Sequence, residues 1–178
     1  MSAWEEAVQR TFDARQERFG RWYDDLEVGD LYRHWPGKTI TAGEDHLFCM
    51  LTMAASPLHI DAHYAQQEMA EGRNVVVGTY VYSLVLGMSV PDISGKAVFN
   101  LGVENMRHVL PLHHGDTLYA RTLVVAKRLS SSRPGVGIVT VDTRGLNQRD
   151  EVVLEFRRSI MLPLRAGAPD PGGARAAG

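Results

Sequence analysis

From Ser56 to His63 the chain reads Ser-Pro-Leu-His-Ile-Asp-Ala-His, a set of side chains suited to moving protons. Histidine ordinarily titrates near about pH 6.5, so it can take or give a proton under neutral conditions. His59 is therefore the candidate general acid/base. Ser56 can hydrogen-bond a water but is a weak base unless a neighbour activates it. Asp61 offers a carboxylate, with capping of the next helix as its other reading. His59, Asp61 and His63 also have metal-ligand types, yet they crowd into five residues across a helix junction. A site of two His and one carboxylate draws its second His from far along the chain, so no metal is expected. Gly78 brings a different chemistry, because a glycine opening a helix exposes a backbone N–H at the positive end of the dipole, where developing negative charge is stabilised. The competing reading of Gly78 is a tight turn into that helix.

Other carboxylates and cations are candidates by position. Glu44 and Asp45 fall at a helix start, where acidic groups complement the dipole. Glu104 lies on a strand. Arg133 sits in a Ser/Pro/Gly loop and Lys127-Arg128 ends a strand. Arg pairs well with phosphates and carboxylates, and the alternative for each is a solvated surface. Arg107, on the strand after Asn100-Leu101-Gly102, is a candidate cation for a carboxylated ligand. His113-His114 beside Gly115 reads as an exposed turn, and Tyr80 and Tyr82 as core aromatics.

These residues need a scaffold. Ser2-Ala3-Trp4-Glu5 has capping-box spacing, and Trp4, Val8 and Phe12 recur every four residues, which predicts an amphipathic helix within 1–18. Leu31 to Ile40 predicts a strand broken by Pro36-Gly37. Thr41-Ala42-Gly43-Glu44 is a second capping box, followed by a helix that should stop near Ala55 because Pro57 biases Ser56 away from the α region. Asp61 can cap a helix from Ala62 to about Glu71. Gly78 to Met88 is apolar nearly all round and predicts a buried helix. The period then changes to two. Phe99, Leu101 and Val103 share one face, as do Leu118, Ala120, Thr122, Val124 and Ala126. Ile138 to Leu146 and Val152 to Leu162 complete four long strands. Residues 165–178 are rich in Ala, Gly and Pro and predict a disordered tail. The expected α+β architecture is a hotdog fold: a curved antiparallel sheet wrapped round a central apolar helix, as one domain over 19–164. An open sheet edge invites a second copy, so a homodimer or higher homo-oligomer is expected.

The 178 residues are 44% hydrophobic and 22% charged, with a formal net charge of -2. A nucleic-acid footprint would need a basic excess on one face. The apolar run Val75 to Val90 is short of the about 20 residues a membrane span requires, and Gly78, Thr79, Ser83 and Gly87 interrupt it. One cysteine, Cys49, excludes an internal disulfide and suits a reducing compartment, and no apolar signal core opens the chain, so a cytoplasmic location is expected. No cofactor is expected.

Pro57, Leu58, His59, Asp61, Tyr64 and Ala65, with Gly78 and Gly115-Asp116-Thr117-Leu118, resemble the MaoC-like hydratases, also called (R)-specific enoyl-CoA hydratases. Three further stretches resemble the subgroup of mesaconyl-CoA and itaconyl-CoA hydratases and polyketide MaoC-like dehydratases. They are Asp30-Leu31-Tyr32-Arg33-His34 through Thr39-Ile40-Thr41; Asn100-Leu101-Gly102; and Ser132-Arg133-Pro134 with Gly137-Ile138-Val139-Thr140-Val141. The resemblance spans roughly residues 19–164. It implies a hydro-lyase acting on an acyl-CoA thioester, His59 as acid/base and Gly78 as oxyanion donor. The sequence departs from the family where it matters most: the catalytic Asp falls at Ala54 and the accompanying Asn at Ser56. Two other readings therefore stand beside hydration, a non-catalytic acyl-CoA or acyl-carrier binding protein and a hotdog thioesterase.

Overall fold

A computed structural model describes residues 19–165. The helix expected within 1–18 lies outside the described residues, as does the expected tail beyond Arg165. Arg165 itself is anchored, its backbone N–H donating to Asp24 Oδ2 at 2.7 Å and its guanidinium pairing with Asp25.

A 3-10 turn (Tyr23–Asp25) leads to the short strands β1 (Leu31–Arg33) and β2 (Lys38–Thr39), separated at Pro36-Gly37. Four helices follow: α1 (Ala42–Thr52), α2 (Pro57–Ile60), α3 (Ala62–Glu68) and α4 (Gly78–Ser89), the last running into a π turn (Val90–Ser94). The long strands are β3 (Phe99–His108), β4 (Thr117–Leu129), β5 (Val136–Leu146) and β6 (Val152–Pro163). All pairings are antiparallel in the order β1-β4-β5-β6-β3, with β2 also on β4. This is the hotdog arrangement, with α4 laid on the inner face of the sheet.

Packing explains the placement of α4. Val81 and Val85 join Leu118, Ala120, Leu154 and Phe156 in one buried cluster. A Cβ on Gly145 of β5 would lie 2.6 Å from Val85 Cγ2, so the missing side chain lets helix and sheet approach. A second cluster of Leu26, Ile93, Val124, Val139, Val141 and Ile160 extends the core under the π turn.

Three expectations need correction. α4 is not buried all round: Val81, Val85 and Ser89 are buried, whereas Thr79, Ser83 and Gly87 form an exposed stripe, because the sheet covers one side only. α1 stops at Thr52, before Ala55, since Met53 takes a left-handed conformation (φ 59°) and closes the helix with its N–H on the Cys49 carbonyl. Ala126 is exposed although Leu118, Ala120, Thr122 and Val124 are buried, because a register shift between Val124 and Ala126 turns it to the other face.

A buried polar network crosses the core. His34 Nδ1 donates to Asp92 (2.8 Å), and Nε2 accepts from the Thr122 hydroxyl (2.8 Å), whose oxygen contacts Thr143 Oγ1 at 3.0 Å. Burial holds the His34 pKa below its ordinary value, against the raising effect of Asp92 and with a lowering effect from nearby Arg158. Arg158, 1% exposed, donates to the hydroxyls of Ser89 (2.8 Å) and Ser94 (3.3 Å) and to Asn100 Oδ1 (3.3 Å), and desolvation brings its pKa down to about 10.

The depressed His34 pKa sets a sign for stability against pH. Unfolding returns the ring to its ordinary range near about 6.5, so below that pH the unfolded chain binds a proton that the folded chain does not. Stability is complete above that pH and falls as pH drops toward the folded-state value. Melting temperatures measured between about pH 5 and 8 should fall on the acid side in the unmutated protein, and the slope should flatten in His34→Gln.

Candidate active site

The site begins where α1 ends. Met53 reverses the chain, and the Ala54 N–H also reaches the Cys49 carbonyl (2.9 Å). Ser56 is extended (φ -72°, ψ 135°), as Pro57 requires, and Pro57 then opens α2 at its first position. Its single turn carries His59. The His59 Nδ1 lies 2.7 Å from the Val75 carbonyl oxygen. A carbonyl can only accept, so Nδ1 carries the proton and Nε2 presents its lone pair in the neutral ring. Ala54 is half-buried and Ser56 exposed, with no capping bond from the Ser56 hydroxyl.

The segment from Asn74 to Gly78 holds the rest. The Asn74 side-chain amide donates to the carbonyls of Leu58 (3.0 Å) and Asp61 (3.1 Å), fixing both ends of the turn that bears His59. Val75 N–H reaches Leu58 O (3.3 Å), and Val76 N–H reaches Leu112 O (2.8 Å). Val77 N–H donates to Asp45 Oδ1 at 3.1 Å. Asp45 is 0% exposed, and its Oδ2 meets His114 Nε2 at 2.9 Å. This carboxylate was a candidate by position at a helix start, where it also complements the dipole, and its burial was not expected. Glu44, in the same first turn, closes the capping box with Thr41 and pairs with Lys38, which together bring its pKa down to about 2. His113 and His114 are likewise not an exposed turn. His113 is 4% exposed, donates from Nδ1 to the Asn74 carbonyl (2.9 Å) and has Nε2 2.9 Å from Glu71.

Gly78 opens α4 directly after this segment. Val77 at the cap supplies no side-chain bond, and among the described residues no acceptor takes the Gly78 N–H. A Cβ at Gly78 would lie 2.8 Å from both Cε1 and Nε2 of His108, so the histidine ring occupies the space beside the glycine. His108 was missed in the sequence, since it follows no motif and only the strand geometry brings it here.

The remaining candidates fall elsewhere. Asp61 caps α3, accepting from Tyr64 N–H at 3.0 Å. Arg107 is on the outer face of the sheet, 3.6 Å from Glu155, and Glu104 registers with Arg157 on that same face. A depression of about 520 Å³ there is lined by Arg107, Arg144 and Arg157 among others, away from His59. Arg133 stacks over Phe99 (5.5 Å) at the start of β3, the far end from His108. Lys127 hydrogen-bonds the Leu26 carbonyl and lies over the Tyr23 ring (4.5 Å). Tyr80 stacks on Phe48 (5.0 Å) and Tyr82 meets Phe156 edge-on (5.1 Å), as expected of core aromatics. Among the described residues no cluster suited to a metal ion forms, and no helix is long and apolar enough to cross a membrane.

The arrangement offers a base with a free lone pair, a backbone N–H at a helix N-terminus and a second imidazole beside it. Comparison with known proteins gives this a context. A family model described as mesaconyl-CoA hydratase matches residues 2–177. Mesaconyl-CoA hydratase of Cereibacter sphaeroides is 35% identical over 153 residues, covering 85% of this chain and 44% of that protein. A crystal structure of a MaoC domain protein dehydratase from Chloroflexus aurantiacus superposes with a TM-score of 0.79 at 33% identity, over 86% of this chain and 43% of that one. A Mycobacterium tuberculosis protein with a double hotdog fold superposes with a TM-score of 0.70 at 26% identity, over 84% of this chain and 46% of its own. The chain thus spans about half the length of the curated relatives it matches.

Asp45 should behave as a clamp on the Val77 amide. Asp45→Ala leaves a buried N–H unsatisfied and should cost about 1–3 kcal/mol of stability. Asp45→Asn keeps an oxygen for Val77 and should recover most of it. Urea denaturation reads the first effect, and hydrogen exchange at the Val77 amide reads whether the clamp itself has opened.

Proposed function

Because the chain belongs to the mesaconyl-CoA hydratase family, we propose that it catalyses reversible hydration of a short enoyl-CoA thioester with a branched or carboxylated acyl group. The observation that carries this reading is the His59 tautomer: Nδ1–H is committed to the Val75 carbonyl, which leaves Nε2 as a base. The same segment, three residues on, presents the Gly78 N–H. In this reading the thioester oxygen sits at Gly78 and a water at His59 Nε2. As the water oxygen bonds to the β-carbon, His59 takes its proton. The double-bond pair shifts toward the α-carbon and thioester oxygen, where the N-terminus of α4 opposes the new charge. Ala54 and Ser56 favour one competing reading, a protein that binds the thioester without turning it over.

For the assembly we propose a pairing through β3. All ten of its residues are exposed, and Phe99, Leu101, Val103 and Met106 add an apolar surface to an edge strand. Relatives of twice this length, one with two hotdog units, support a second copy of this chain as the occupant of that edge. An antiparallel β3–β3 pairing sets the Phe99 end of one copy beside the His108 end of the other. Arg133 of the partner subunit then approaches Gly78, where it can meet a CoA phosphate. Within one chain the two ends are roughly 30 Å apart along the strand.

Turnover of mesaconyl-CoA and crotonyl-CoA, followed by loss of the enoyl absorbance, should be present in the unmutated protein and fall about 10²–10⁴-fold in His59→Gln. Tight CoA-ester binding without turnover, with activity appearing only in Ala54→Asp, would sink hydration and leave the binding protein. Thiol release without hydration would point to a thioesterase. The doubly substituted Leu101→Lys, Val103→Lys protein should sediment at single-chain mass, and Arg133→Ala should raise KM with little change in kcat. A native dimer in the former, or an unchanged KM in the latter, counts against the β3 assembly.

A further inference from the structure

We propose that His108 is a second catalytic residue of this site, delivering the proton to the substrate α-carbon that the residue at Ala54 cannot supply. The inference rests on the hydratase reading and adds the acid to its base.

Strand geometry makes the case. On β3, Glu104 registers with Arg157 and Arg107 with Glu155, so three steps along β3 match two along β6. The extra residue is a bulge, and Asn105 within it takes a left-handed conformation (φ 54°) that Asn tolerates better than most side chains. In an unbroken strand Glu104, Met106 and His108 would share one face. Glu104 and Arg157 face outward, so His108 would face outward too. The bulge reverses this parity. His108 now registers with Leu154, which is 0% exposed and packs in the core cluster with Val85 of α4. The ring is thereby turned to the inner face, against Gly78.

The contact at Gly78 is close on the page. Any side chain there would drive into the imidazole, with Cε1 and Nε2 at 2.8 Å and Nδ1 at 3.3 Å from an ideal Cβ. Gly78 has no positive φ, so its turn does not demand glycine, and a side chain there would displace the neighbouring ring. Among the described residues none hydrogen-bonds the His108 ring. A histidine without a structural bond, turned inward by a bulge onto the proposed oxyanion donor, is placed for substrate. The α-carbon is two bonds from the thioester oxygen, so an acid beside Gly78 is beside the α-carbon.

The proton count closes. The water O–H bond breaks as its oxygen bonds to the β-carbon, and that proton goes to His59 Nε2. The electron pair of the carbon–carbon double bond passes into the enolate. The enolate pair then returns to the α-carbon and forms a C–H bond with a proton of the His108 imidazolium, whose N–H bond breaks to leave the neutral ring. His59 has gained one proton and His108 has lost one. Exchange with water between turnovers restores both.

The decisive variant is His108→Phe, which fills the same space without a transferable proton. In the full-length protein kcat with mesaconyl-CoA or crotonyl-CoA should fall about 10²–10⁴-fold while KM changes only about threefold. One limb of the kcat pH profile should disappear, and adding Ala54→Asp to His108→Phe should restore at least about tenfold. Retention of kcat within about threefold, with both limbs of the profile intact, overturns the inference and leaves hydration standing. No turnover by the unmutated protein overturns the hydration reading and this inference with it. If His108→Phe does not fold, diethyl pyrocarbonate labelling of the unmutated protein decides. Modification of His108, located by mass spectrometry, should track loss of activity and be slowed by a CoA ester, whereas full activity after His108 is modified overturns the assignment.

Discussion

Four consecutive residues, Asn74 to Val77, are gripped by groups from three directions, and the His59 ring and the start of α4 both attach to them. From one side the Asn74 amide and the Val75 carbonyl hold α2 and the His59 ring. From the second, Leu112 and His113 pair with the backbone as a short extension of the sheet. From the third, the buried Asp45 carboxylate takes the Val77 N–H and is met in turn by His114. A buried carboxylate is costly unless each lone pair has a donor. Here both oxygens do, and the reward is a rigid origin for α4. The His59 ring and the start of α4 are thus both tied to one short, immobilised piece of backbone.

The same logic separates what one chain completes from what it leaves open. The inner face of β5 and β6 is closed by α4, and the polar network of His34, Thr122, Thr143 and Arg158 is satisfied almost entirely within the chain. β3 is not closed at all. An edge strand with an apolar surface is a hazard in a free monomer. It is tolerable when a partner covers it, and His108, beside Gly78, lies at the end of this strand.

Much of this was legible in the sequence and some could not be. The change of period after the helix that Gly78 opens, the Thr41 capping box and the Asp61 cap all appear where the residues put them, because each acts within one turn or one strand. The hotdog arrangement follows from their order. What escaped was tertiary. Asp45 looks like any acidic residue in a first turn, and only the packing of α1 on Val77 buries it. His113-His114 sits beside a turn glycine and is nonetheless drawn inward by Asn74 and Asp45. Ala126 was misplaced because a bulge changes which face a residue occupies and alternation read from sequence assumes there is none, and His108 lies beyond a bulge of the same kind, with no motif to flag it.

That last point bears on how relatives of this chain should be compared. Between Asn100-Leu101-Gly102 and Pro111 the number of residues decides whether a side chain near the end of β3 looks toward α4 or away from it. Two chains could carry histidine in this stretch and use it differently, and two could differ by a single deletion yet exchange one inward group for another. In this region length is as informative as identity, and an alignment that closes a one-residue gap for the sake of matching letters would erase the feature that sets which way the end of β3 faces.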